Sequence, residues 1–395
     1  MKFISAVSTE IDFEDALKDL IQQTASEASE AELDLMVVFI SAHFSHAVRE
    51  IVKDLRAALH PRLLLGCTAE GIISRDSEIE NEPAISLLAA NLPGTELRAF
   101  LLQGESPDWT RLLLDEGEFR GLLSPPQNTR LFILLGDPFS TPMEDLLQAF
   151  NNFYPGIPVV GGMASAVLRP NGNLLFVNDQ VVRRGAVGVA MAGALSVDII
   201  VSQGCRPIWR PFKVSTANRN EIYSLEGRAP LAWLQDLMPE LSEEDKYLLR
   251  NGLFVGLAVN SNKESLGRGD FLIRGVIGID QESGAIAIGD SVMDGQIIQF
   301  HLRDAVTAQE DLEMQLIPQM FRNKADGGLL FNCNGRGTRL YDRPNRDIQI
   351  IQQNIDPAPL AGFFCAGEIG PIGGVNYLHG HTATLALFRP ATGND

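Results

Sequence analysis

The chain has 395 residues, 45% of them hydrophobic and 21% charged, with 50 acidic side chains against 32 lysines and arginines and a formal net charge of -18. That mix is globular rather than disordered, and the length allows roughly two or three domains with substantial cores. The acidic balance argues against a nucleic-acid or anionic-lipid partner, either of which asks for a basic surface.

The opening stretch, MKFISAVSTEIDFEDALKDL, turns acidic within ten residues and does not read as a signal peptide. Apolar runs such as RLLLGC and RLFILLG are too short to span a bilayer. A cytoplasmic location is therefore expected. The four cysteines, Cys67, Cys205, Cys333 and Cys365, form no C-x-x-C pair, so zinc-ribbon and thioredoxin-like readings fail on spacing.

Two stretches repeat one another. Residues 35–71 and 130–166 each open with an apolar run of strand length, followed by Phe-Ser at 44–45 and 139–140. A helix-period segment comes next, with Val48, Ile51, Val52 and Leu55 in the first and Leu146, Leu147 and Phe150 in the second. A proline then restarts an apolar strand ending in Gly-Cys or Gly-Gly. The offset is 95 residues from Phe44 to Phe139 and again from Cys67 to Gly162. A hairpin and a returning strand are expected after each glycine turn, at 84–92 and 184–193, the second hairpin with Asn171-Gly172 at its tip.

Between these and the next copy lies KVSTANRNEIYSLEGRAP, where the pattern lapses before a helical LAWLQDLM. A division into domains 1–215 and 216–395 is placed there. A third copy follows: GGLLFNCNGRG from 327, the helical DIQIIQQNI from 347, the glycine-rich LAGFFCAGEIGPIGG, and the returning TATLALF at 382–388. Strand–helix–strand units imply parallel strand pairs, and the hairpins add antiparallel strands. The fold class expected is mixed α/β and α+β: repeated strand–helix–strand–hairpin units forming mixed sheets covered by helices, in two domains.

The motifs GCTAEG, PVVGGMAS and VSQGCRP resemble the N-terminal FIST domain, and GDFLIRGVIGID, QFHLRDA, LFNCNGRG, GFFCAGEIGP and LHGHTATLALF resemble the C-terminal FIST domain. They occur in order over residues 30–390. The order Glu70-Gly71 departs from the expected pattern, in which glycine comes first. The resemblance implies an intracellular sensory protein that binds a small ligand, an amino acid or similar polar metabolite. Its output would pass through a separate signalling partner, because no output domain is attached in this sequence.

A zwitterionic ligand asks for arginine forks or turn N–H groups for its carboxylate, and for carboxylates or carbonyls for its ammonium. The candidate ligand-binding residues are accordingly Cys67, Thr68, Glu70, Gly162, Arg206, Arg303, Asn332, Asn334, Arg336, Cys365, Gly367, Glu368 and His379. The three turns Cys67–Gly71, Gly161–Ser165 and Cys365–Gly370 are expected to face one cleft. Against a ligand role stand surface ion pairs for the arginines and Asx turns for the asparagines.

Two other classes of function compete. One is a cysteine-dependent hydrolase or transferase with Cys365 as nucleophile beside Glu368 and a histidine. The other is an interaction scaffold without a small ligand. His43 and His46 could share a helical face as metal ligands, but no carboxylate-rich partner motif follows, and His379 with His381 supplies only two ligands, too few for a metal site. No phosphate-loop or dinucleotide motif occurs, so neither a cofactor nor a metal is expected.

Overall fold

A computed structural model describes residues 1–28, 32–103, 109–263 and 265–391. Two compact units are present. One comprises Met1–Val201, Leu312–Leu378 and Thr382–Asp395, and the other comprises Ser202–Asp311 with His379–His381. The units interleave along the chain. The expected 215/216 division is one of sequence, and it falls within the strand Cys205–Asn218 of the second unit.

The larger unit repeats one arrangement three times. In the first copy a leading strand, Lys2–Ser8, is followed by the helix Phe13–Ala28 and the central strand Leu35–Ser41. The crossover helix Val48–Leu59 then leads to a second strand, Leu63–Ala69, parallel to the first. A hairpin, Gly71–Ile73 and Glu78–Glu80, and a returning strand, Ile85–Asn91, complete it. The second copy has the same order, with central strands Thr129–Gly136 and Val159–Met163 around the helix Met143–Phe153. The third has Gly327–Cys333 and Leu360–Cys365 around Arg346–Asn354. The main segment of the smaller unit, Ser202–Asp311, begins within the strand Leu195–Gln203 and ends within the helix Ala305–Leu316.

The hairpins do not stay in their own sheets. The hairpin of the first copy pairs with the second strand of the third, through Ile73 opposite Gly362. That of the second copy pairs with the first, through Leu175 opposite Cys67. That of the third copy pairs with the second, through Glu368 opposite Gly162. Three six-stranded sheets result among the described residues, each closed at one edge by a hairpin from another copy. The second-copy hairpin turns at Asn178–Asp179 between Leu175–Val177 and Gln180–Val182, not at Asn171-Gly172, which lies in the preceding loop.

A single apolar layer lies between the three sheets and draws Phe39, Ile133 and Phe331 from their central strands. The central strands are apolar on both faces because each sheet has this layer on one side and its helices on the other. The crossover helix Val48–Leu59 buries Val48, Ile51, Val52 and Leu55, one stripe of a 3.6-residue period. Fully burying each such side chain contributes about 1.5–3 kcal/mol.

Three glycines mark the repeat. Gly66, Gly161 and Gly362 sit opposite Val38, Leu134 and Leu330 of the neighbouring parallel strand. A Cβ at these positions would come within 2.0, 1.9 and 1.8 Å of the partner's carbonyl oxygen. No side chain fits, so the second strand of every copy carries glycine there.

The smaller unit is a closed barrel of Cys205–Asn218, Glu221–Leu225, Ile286–Ile288, Phe271–Ile279, Phe254–Ala258 and Ile297–Arg303, in that order around its wall. Phe212, Ile298 and Phe300 fill its core.

Candidate functional site

The three glycine turns do meet, but they meet in the interior. Ser165 joins them. Its N–H donates to Thr68 O at 3.3 Å. Its Oγ accepts from Glu70 N at 3.0 Å and donates to Phe364 O. Met163 N donates to Gly367 O at 2.8 Å, and Asn334 N to Cys365 O at 2.8 Å. Cys67 and Cys365 belong to the apolar layer between the sheets, and a side chain at Gly162 would strike Cys365 Sγ. Cys67, Thr68, Glu70, Gly162, Cys365, Gly367 and Glu368 are thus brought together as the joint between copies, with little space among them. The sequence reading drew nothing from Ser165, although it lies in one of the three flagged turns.

The strand register fixes which positions correspond among the copies. Cys67 and Gly162 occupy the same place in their copies, but Phe363, not Cys365, holds it in the third. By the same register Glu368 stands where the other two copies have Leu175 and Ile72. Its carboxyl is fully buried, and burial pushes its pKa up to about 8 against hydrogen bonding that favours the charged form. Thr382 donates to Oε2 from its Oγ1 at 2.8 Å and from its N–H at 3.2 Å. No N–H or O–H among the described residues reaches Oε1.

Arg336 is closed to any ligand. It is 1% exposed, and its Nε and Nη2 each lie 2.7 Å from one oxygen of the fully buried Asp347. Tyr341 bridges both, accepting from Arg336 Nη2 at 2.9 Å and donating to Asp347 Oδ1 at 2.7 Å. Asn332 also donates to Asp347, at 3.0 Å. Glu78, from the first-copy hairpin, accepts from Ile348 N at 3.0 Å. Burial, and after it the Asp347 charge, hold the Glu78 carboxyl well above the usual range. Above this network a cleft of only about 90 Å³ opens beside Glu70, Glu80, Asn334 and Arg339. Glu70 and Arg339 form an ion pair across it.

Arg206, Arg303 and His379 belong to the smaller unit. Arg206 is held there by Asp245 and, at 2.9 Å, by Asp304.

Cys365 lacks the surroundings of a nucleophile. It is fully buried, and burial followed by the Glu368 charge pushes its thiol far up. Attack needs a thiolate, which burial in apolar surroundings disfavours. Among the described residues no group of three metal-ligating side chains occurs, and no helix is long and apolar enough to cross a membrane.

A roomier hollow lies elsewhere, in the second copy, just beyond the carboxyl end of Thr129–Gly136. It has a volume of about 730 Å³, within the range usual for small-ligand sites. Its floor is fixed by the buried Asp137, whose Oδ2 accepts from Ser140 Oγ at 2.6 Å and Phe139 N at 3.2 Å. Ser140 Oγ in turn accepts from Gly185 N at 2.9 Å, and Thr141 Oγ1 donates to Gly185 O at 2.7 Å. Trp109 and Phe139 supply aromatic wall, while Arg184 and Asp145 supply opposite charges. Neither charge has an ion-pair partner among the described residues. The Phe139-Ser140 landmark was the sequence signal for this place, read as a mark of repetition only.

Comparison with known proteins agrees with the motifs. Residues 34–228 match the FIST N domain and residues 230–371 match the FIST C domain. An uncharacterized protein of Mycobacterium tuberculosis is 36% identical over 392 residues, which is 98% of this chain and 100% of the relative. An uncharacterized protein of Mycobacterium bovis is 35% identical over 392 residues, covering 98% of this chain and 99% of its own length.

Proposed function

Because the chain belongs to the FIST family, whose domains are generally associated with sensory signal transduction, we propose that it senses a small polar metabolite, an amino acid, held in the hollow of the second copy. The observation that carries this reading is the pairing of Arg184 and Asp145 around one cavity of about 730 Å³. Arg184 takes the ligand carboxylate and Asp145 its ammonium. Trp109 and Phe139 cover the ligand side chain. Ligands of open α/β sheets gather beyond the carboxyl ends of strands, which is where this hollow lies. The joint of glycine turns, with Cys67, Glu70, Gly162, Cys365, Gly367 and Glu368, then couples the sheets around the site rather than touching the ligand. The signal passes to a separate partner protein.

The test is thermal unfolding against a panel of amino acids and related metabolites. A ligand at 100 times its dissociation constant stabilises by roughly 2.7 kcal/mol, a readily seen shift in midpoint. The expected result is a shift for one chemical class that disappears in Arg184→Ala and in Asp145→Asn. A flat panel, repeated on refolded protein to remove any carried-over ligand, would move the reading to an interaction scaffold.

A further inference from the structure

A second hollow lies at the same topological place in the first copy, beyond the carboxyl end of Leu35–Ser41. It measures about 540 Å³, and an adjoining hollow of about 640 Å³ shares Asn171 and Arg183 with it. Together they expose Arg49, Arg169 and Arg183, with His46 beside them, and the adjoining hollow also reaches Arg184 of the second-copy hollow. Three arginines crowd together here on a chain whose net charge is -18. Among the described residues none of the three has an ion-pair partner. Arg183 Nη1 donates to Asn171 O at 2.9 Å and Arg49 Nη2 to Val181 O at 3.3 Å. Each of these contacts fixes one guanidinium corner and leaves the rest of the fork facing outward. Ser45 also lines the hollow, and its buried Oγ has no hydrogen-bond partner among the described residues.

We propose that this arginine-lined hollow of the first copy is a second binding site, which takes a phosphorylated small molecule. The planar arginine fork matches phosphate oxygens in pairs, and unpaired arginines on an acidic protein concentrate anions that the rest of the surface repels. Ser45 Oγ supplies the hydroxyl contact that such a group accepts, and His46 supplies a further ring nitrogen. Arg184 borders the adjoining hollow as well as the amino-acid hollow, so the test of this inference is built on Arg169 and Arg183, neither of which lines the amino-acid hollow.

The experiment is calorimetric titration of the full chain with inorganic phosphate and pyrophosphate, with sodium chloride at matched ionic strength as reference. Saturable binding of pyrophosphate at one site is expected, tighter than that of phosphate. The double variant Arg169→Ala/Arg183→Ala is expected to weaken it at least tenfold. Both side chains are exposed, so the midpoint of unfolding without ligand should not move. Absence of pyrophosphate binding to the unaltered protein, or equal binding by the double variant, would overturn the proposal. So would sedimentation with vesicles containing phosphatidate where free pyrophosphate does not bind, because the patch would then read a lipid surface.

Discussion

The second and third copies of the repeat treat the same place in opposite ways. Beyond the carboxyl end of Thr129–Gly136, the loop from Asp137 is drawn down onto Gly185, and a cavity of about 730 Å³ stays open above it. Beyond the carboxyl end of Gly327–Cys333, the loop folds Arg336 back beneath itself, where Asp347 in the first turn of the next helix grips it with both oxygens. Only about 90 Å³ remains there. One topology therefore offers a recess at each central strand. In the third copy a single arginine with a carboxylate partner occupies that recess as a polar lock.

Breaking the lock is expected to have the largest effect. Arg336→Ala leaves Asp347 buried with Tyr341 and Asn332 as its remaining side-chain donors, beside the buried Glu78. Loss of one partner of a buried pair costs about 3–5 kcal/mol. Urea unfolding should show a loss of that size. The second-copy hollow should keep the ligand response of the unaltered protein under native conditions, because Arg336 and Asp347 belong to the third copy. A loss within 0.5 kcal/mol would mean that the lock does not hold the third copy together.

The next effect sharpens the comparison at the joint, where Glu368 takes a place that is Leu175 or Ile72 in the other copies. Its folded pKa of about 8 lies above the unfolded carboxyl value of 4.5. Ionising the group therefore disfavours the folded state. Its contribution to stability is fully present below pH 4.5 and is lost as pH rises towards 8. The loss is on the order of a few kcal/mol. Glu368→Gln keeps an oxygen for Thr382 and removes the charge. It is expected to be more stable than the unaltered protein at pH 8–9 and to converge with it near pH 4.5. Parallel stability curves for the two proteins across this window would sink the assignment.

Smaller again is Ser165→Ala. It leaves Glu70 N and Phe364 O without the hydroxyl that joins them. Orphaning buried groups of this kind costs about 1–3 kcal/mol. Ser140→Ala, the counterpart at the rim of the hollow, removes a hydroxyl that bonds Asp137 and Gly185 within one copy. Chemical denaturation should therefore give Ser165→Ala the broader transition, because only that change loosens contacts between copies.

These contrasts also show what the sequence could reveal. The repeat was legible because steric necessity writes it: Gly66 and Gly161 are required wherever the second strand crowds the first. The exchange of hairpins was not legible, because segments as short as Gly71–Ile73 join a sheet through backbone groups that carry no residue code. Reading residue types beside glycine turns singled out Cys67, Glu70, Cys365 and Glu368, which lie at the joint between copies. It could not show that Arg336 was already matched, since Asp347 and Tyr341 sit 11 and 5 residues further along with no motif to mark them. Arg184 escaped notice for the converse reason. It lies in an Arg183-Arg184 pair ahead of a strand, and only the folded chain sets it in the lining of one cavity with Asp145.

The smallest expected change in stability is the most informative for function. Arg184 and Asp145 are exposed and without ion-pair partners among the described residues, so removing either should alter unliganded stability by no more than about 0.5 kcal/mol. Their joint role predicts more than two separate losses. Arg184→Ala should weaken the zwitterion and a simple carboxylate alike, because both use the fork. Asp145→Asn should weaken the zwitterion and spare the carboxylate, because only the ammonium needs that charge. Titrating each variant with an amino acid and with its deaminated analogue separates the two contacts. Equal losses for both ligands in both variants would mean that the charges act only as a general field. The ligand would then be selected by the wall of Trp109 and Phe139.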